Sequence, residues 1–123
     1  MTPSPTPVVN VCGGPITSLP QLCALSVMPN PVAQGGSITV HYGVSDLEGD
    51  IDQFCVSFAV AGSPPDFTCY ELQPTGATIN EFVDRGPIAL PSVLGAGDYT
   101  LTLEVSDQVG HISADVATTF AIE

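Results

Sequence analysis

Five carboxylates are spaced so that they could gather around one cation. Asp46, Glu48, Asp50 and Asp52 fall at alternate positions of Ser45-Asp46-Leu47-Glu48-Gly49-Asp50-Ile51-Asp52, and Asp107 opens a second turn that runs to His111. Hard oxygen donors on a turn, with Gly49 permitting tight curvature, are what Ca²⁺ requires, because it takes about six to eight oxygens in a flexible shell. An ion would also relieve the repulsion among the carboxylates. The spacing lacks the bidentate glutamate and the length of an EF-hand loop, and a solvated acidic turn without metal carries the same residues. Ca²⁺ is the one cofactor these residues point to.

Other chemistry has less to build on. A glycosidase also uses paired carboxylates, but it needs walls around its sugar. This chain has no tryptophan for a platform and little length beyond one domain. His41 alternates outward on an expected strand and His111 occupies a turn, and no Ser-His-Asp arrangement follows from the spacing. No catalytic residue is expected, and the chain reads as a non-enzyme.

The four cysteines, Cys12, Cys23, Cys55 and Cys69, form no CxxC pair and have no zinc-like histidine spacing, so disulfides are their expected use. In residues 51–60, Phe54, Val56, Phe58 and Val60 share one face, which puts Cys55 on the other. The turn Ala61-Gly62-Ser63-Pro64-Pro65-Asp66 reverses the chain, and the returning strand is expected to face Tyr70 and Leu72 inward and Cys69 outward. Folding about Gly62 sets Cys55 opposite Cys69. That leaves Cys12 with Cys23, tethering the N-terminal segment at a gain of about 3 kcal/mol. The other pairings remain open from sequence. Disulfides imply an oxidising location, outside the cell or on its surface.

These residues need elements to hold them, and the composition favours short strands. A length of 123 residues is one domain, 44% hydrophobic residues can fill a core, and Gly and Pro each occur 12 times. Asp and Glu number 13 against Arg85 alone, for a formal charge of −12, so polyanionic partners are repelled. Nucleic acid and anionic membrane surfaces are excluded on that ground. No apolar run reaches the length of about 20 residues that spans a bilayer, and no membrane insertion is expected. Residues 1–11 read as an extended Thr/Ser/Pro-rich linker, with Met1 as an added start residue on a piece of a longer surface protein, and residues 12–123 as the domain.

Along the chain, residues 22–28 read as a first strand stopped by Pro29-Asn30-Pro31, and residues 37–45 alternate with Ile38, Val40, Tyr42 and Val44 on one face. The hairpin around Gly62 supplies two more strands. A strand is expected near Thr78 to Val83, ending before Asp84-Arg85-Gly86-Pro87. Tyr99, Leu101, Leu103 and Val105 mark the clearest strand, and Ile112, Ala114, Val116, Phe120 and Ile122 the last. The expected fold is all-β, an immunoglobulin-like antiparallel β-sandwich of about seven strands. One echo, V-S-D-x-x-G-x-I, joins Val44–Ile51 to Val105–Ile112. Turn chemistry accounts for it, with Asp bonding the backbone ahead and Gly supplying positive φ.

The run Gly97-Asp98-Tyr99-Thr100-Leu101-Thr102-Leu103-Glu104-Val105-Ser106-Asp107-Gln108-Val109-Gly110, with the earlier Ser45-Asp46-Leu47-Glu48-Gly49-Asp50, resembles bacterial immunoglobulin-like, PKD-like and cadherin-like extracellular modules over residues 24–123. The resemblance implies a corner tyrosine at Tyr99 that bonds backbone upstream, and a structural or adhesive unit of a cell-surface or secreted protein. Phe54 or Phe58 would fill the volume that a tryptophan holds in antibody domains. The expected partners are other protein domains or further copies of the chain. Two alternatives differ in kind. A filament subunit would donate Val8, Val9 and Val11 as a strand to the next copy. A carbohydrate-binding accessory module would need an exposed aromatic row, for which Tyr70, Phe67 and Phe82 are the candidates.

Overall fold

The computed structural model describes residues 9–123. Val8 and the rest of the Pro-rich opening lie outside the described residues. Seven strands follow in order: β1 (Gln21–Met28), β2 (Ser37–Asp46), β3 (Ile51–Val60), β4 (Thr68–Glu71), β5 (Ile79–Ala89), β6 (Gly97–Asp107) and β7 (Val116–Ile122). They make two antiparallel sheets, β1-β2-β5 and β4-β3-β6-β7, which pack as an all-β sandwich. This is immunoglobulin-like connectivity with the fourth strand joined to the β3 sheet rather than to β5.

Alternation builds the core. Ile38, Val40, Tyr42 and Val44 of β2 face Phe54 and Val56 of β3, and Tyr99, Leu101, Leu103 and Val105 of β6, all of them buried. Each such side chain contributes about 1.5–3 kcal/mol by leaving water. Phe54, only 1% exposed, packs its ring 5.9 Å from that of Tyr42 across the two sheets. The Tyr99 hydroxyl donates to Gly95 O at 2.8 Å, the upstream bond expected of a corner tyrosine.

Several sequence expectations change. β5 does not stop before Asp84 but runs to Ala89, because a bulge opposite Thr39 absorbs Gly86-Pro87 on an edge strand, where a missing N–H is tolerated. β7 begins at Val116 rather than at Ile112. Ile112 forms only an isolated bridge with Ser106 and is 60% exposed, while Ser113 donates its N–H to Val105 O and accepts the Val105 N–H on its side-chain Oγ. Tyr70 shares a face with Phe54, as parity requires, yet is 48% exposed, because β4 is an edge strand. Val60, expected inward, is exposed at the end of β3. In β1 a bulge at Ala24, with φ of 54°, switches the inward parity from Leu22 to Leu25 and Val27.

Both disulfides are formed, Cys12–Cys23 and Cys55–Cys69, and no cysteine is free. Cys55 and Cys69 lie directly opposite each other in register, on the face away from the core cluster. The first disulfide anchors a strap. Asn80 of β5 accepts the Val11 N–H on Oδ1 and donates Nδ2 to Val9 O, both at 2.8 Å, so residues 9–12 cross the outer face of β5-β2-β1 to reach Cys23. Gly43 leaves room beneath, since a Cβ there would stand 2.7 Å from Cys23 Sγ.

Candidate metal centre

Two turns meet at one end of the sandwich. The first, Asp46 to Asp50, joins β2 to β3, and the second, Asp107 to His111, follows β6. They are built alike, as the repeated V-S-D-x-x-G-x-I pattern implies. Asp46 Oδ2 accepts the Asp50 N–H at 3.1 Å, and Asp107 Oδ1 accepts the His111 N–H at 2.7 Å, each four residues ahead. Gly49 and Gly110 supply the positive φ, 61° and 92°. The turns are joined through Gln108 N–H donating to Asp50 O at 3.1 Å.

A third segment clamps the first turn. Thr75 and Gly76 donate their N–H groups to Gly49 O, and Thr78 Oγ1 donates to Leu47 O. Gly49 is required here on two counts, since a Cβ would fall 1.7 Å from Ala77 O. The segment between Cys12 and β1 adds two more bonds, Leu47 N–H donating to Thr17 O and Ser18 Oγ donating to Glu48 Oε1 at 2.9 Å.

This framework gathers three of the five predicted carboxylates. Asp46, Asp50 and Asp107 each offer an oxygen, and these oxygens lie within 4.8 Å of one another. Glu48 points away to Ser18, and Asp52 stands outside the group, in β3 after the buried Ile51. His111 reaches the site indirectly, through Nδ1 to Asp107 Oδ2 at 2.9 Å.

Asp46 is fully buried and its Oδ1 has no hydrogen-bond partner; Asp50 Oδ1 is also buried without one. Burial first, then the neighbouring Asp50 carboxyl and the charge of Asp107, push the Asp46 carboxyl from 3.8 to about 7, against an opposing pull from the Asp50 N–H. Among the described residues no Lys or Arg pairs with these carboxylates, and the one basic side chain that reaches them is His111, through its contact with Asp107. The donor set, three carboxylates, suits a hard cation and not a soft one.

The other candidates are dispersed. Val9 and Val11 are bonded to Asn80 of their own domain. Folded contacts thus reach back into the expected linker, where Asn10 is 5% exposed and donates to Gly13 O, Pro15 O and Gln21 Oε1. The aromatic candidates form no row. Phe82 lies on the outer face of β5 with its ring stacked on His41 at 5.7 Å, whereas Tyr70 lies beside Phe54 on the inner face of the other sheet.

No protein-family model matches the chain, and no curated protein sequence matches it. Among solved structures it is similar in fold to the Pseudomonas fluorescens alkylpurine DNA glycosylase AlkC bound to DNA containing an abasic site analogue, with a TM-score of 0.52 and 12% identity over 86% of this chain. This chain spans 31% of that chain's length, and the likeness is one of fold alone.

Proposed function

We propose that the chain is a non-catalytic structural or adhesive module of a secreted or cell-surface protein, and that Asp46, Asp50 and Asp107 hold a Ca²⁺ that stiffens one end of it. The carrying observation is Asp46, a fully buried carboxylate that has an unpartnered oxygen and groups with two more carboxylates within 4.8 Å. Leaving such a group unsatisfied costs about 1–3 kcal/mol or more, and a bound cation would offset that cost and cancel the mutual repulsion.

Placement supports the reading. Val9 sits near Asn80, which pairs with Ser45 next to the site, whereas Ile122 pairs with Gly97 at the far end of β6. The described chain therefore enters at the carboxylate end and leaves at the opposite one, a geometry suited to domains linked in series. Leu47, Val109 and Ile112, on or next to the two turns, are 47–71% exposed, an apolar surface for a neighbouring domain. Two disulfides fit an oxidising compartment. The likeness to a DNA-bound enzyme brings no DNA binding with it, because a chain of charge −12 with one basic residue has almost nothing to displace counterions.

The test is thermal unfolding of the oxidised protein in chelator, Ca²⁺ and Mg²⁺. Ca²⁺ is expected to raise the melting temperature, and Mg²⁺, which demands a stricter shell and sheds water reluctantly, to raise it much less. Equal melting in chelator and Ca²⁺, or an equal Ca²⁺ shift in Asp107→Asn, would overturn the assignment.

A further inference from the structure

The two long sides of the sandwich are finished differently. On the β1/β7 side the chain crosses between sheets, with Val32 N–H donating to Ala121 O and Glu123 N–H to Val32 O. On the other side β4 and β5 are both edge strands, and no backbone hydrogen bond joins them among the described residues. The gap is a groove that opens onto the core. One stretch of about 200 Å³ is lined by Tyr42, Ile79, Glu81 and Val83, and the next, of about 290 Å³, by Phe54, Tyr70, Glu71, Pro87 and Ile88, with Glu71 making no salt bridge to Arg85. Leu72 and Arg85 line both.

Arg85 is the only Lys or Arg in the chain. Its guanidinium lies 4.8 Å over the Phe54 ring, and its Nε donates to the Tyr42 hydroxyl at 3.1 Å. Although the chain carries 13 carboxylates, Arg85 forms no salt bridge among the described residues. A half-buried guanidinium fixed by an aromatic face and a tyrosine, with its terminal nitrogens uncommitted, is a preformed receptor for a carboxylate. Beside it runs the unpaired edge of β5, whose inward residues are Glu81, Val83 and Arg85, and where Pro87, lacking an N–H, limits further pairing.

We propose that this groove receives an extended segment of a partner protein, which adds a strand to the free edge of β5 and sets an acidic side chain on Arg85. Inward side chains of the added strand recur every second residue. The cross-strand order along β5 therefore calls for an acid opposite Arg85, an aliphatic residue opposite Val83 and a base opposite Glu81, with a further apolar side chain toward Phe54 and Ile88. Main-chain bonds supply affinity in this mode, and the alternating pockets supply selectivity. The proposal is independent of the carboxylate site.

The probe is a fluorescent peptide, Val-Thr-Glu-Thr-Val-Thr-Lys, capped at both ends and titrated by anisotropy with the oxidised full chain. Binding is expected, and it should weaken about tenfold or more when the peptide Glu becomes Gln or when Arg85 becomes Gln, the loss of one charge-assisted hydrogen bond. The net negative field of the protein favours the Gln peptide, so a preference for the Glu peptide reports Arg85 and not bulk charge. Methylating the backbone nitrogens that face β5 should abolish binding. As a second variant, Arg85→Glu should shift preference to a peptide with Lys in place of Glu, which separates a local effect from misfolding. No binding up to about 1 mM peptide, or equal binding by Arg85→Gln, would overturn the proposal.

Discussion

Replacing Asp46 by Asn isolates the cost of the buried charge. In the folded protein the Asp46 carboxyl is raised from 3.8 to about 7, chiefly by burial and then by Asp50 and Asp107. A raised folded-state pKa means that the native state binds its proton more tightly than the unfolded chain does. The contribution is therefore fully present below about 3.8, declines as pH rises, and is gone above about 7. At about 1.36 kcal/mol for each unit of pKa, the span from 3.8 to about 7 corresponds to about 4 kcal/mol, of which about 2–3 kcal/mol falls between pH 5 and pH 8. Asn keeps an oxygen for the Asp50 N–H and carries no charge. In chelator, urea unfolding from pH 5 to 8 should show Asp46→Asn gaining about 2–3 kcal/mol on the native protein as pH rises, to an order of magnitude. With Ca²⁺ in excess the advantage should vanish or reverse, because the native carboxylates then bind the ion and the variant does not. A stability difference between the two proteins that does not change with pH in chelator would refute the reasoning.

Other parts of the framework make separate predictions. Gly49→Ala, whose Cβ would fall 1.7 Å from Ala77 O at a φ of 61°, should cost about 3 kcal/mol or more in urea unfolding; a cost under about 0.5 kcal/mol would contradict the clamp between those loops. Replacing Cys12 and Cys23 together by Ser should cost about 3 kcal/mol by the chain-entropy estimate, read from the same denaturant midpoint. Asn80→Ala removes both bonds to Val9 and Val11, so amide exchange at Val11 should quicken at least several-fold while the β6 amides stay protected.

The elements that carry strict period-two alternation were legible in the sequence. β2 and β6 could be read residue by residue, and the Cys55–Cys69 pair followed from the hairpin because direct cross-strand neighbours sum to a constant. What failed were places where tertiary context outranks a local signal. Gly86-Pro87 has the composition of a stop, but at a free edge a bulge accommodates it and β5 continues. Ile112 and Ala114 continue the parity of β7, yet the second turn claims His111 and Ser113 bonds back to Val105, which shifts the strand start to Val116. Tyr70 has inward parity without a covering strand.

The site was half legible for a related reason. The repeated Val-Ser-Asp turn identifies Asp46 and Asp107 as equivalent positions, and the fold brings them together. Alternate spacing did not distinguish Asp50 from Glu48 or Asp52, because a tight turn does not hold the two-residue periodicity of a strand, and Ser18, distant in sequence, draws Glu48 aside. Arg85 stood out only as the sole basic residue; its place between Phe54, Tyr42 and two open edges belongs to the tertiary structure.

The most direct test of the metal assignment is calorimetric titration of the oxidised, chelator-washed protein with Ca²⁺, run in parallel on Asp46→Asn and Asp107→Asn. The account predicts one saturable site in the native chain that is lost or weakened at least about tenfold in each variant. Absence of binding heat in the native chain, with no melting shift to accompany it, or undiminished binding in both variants, would contradict it.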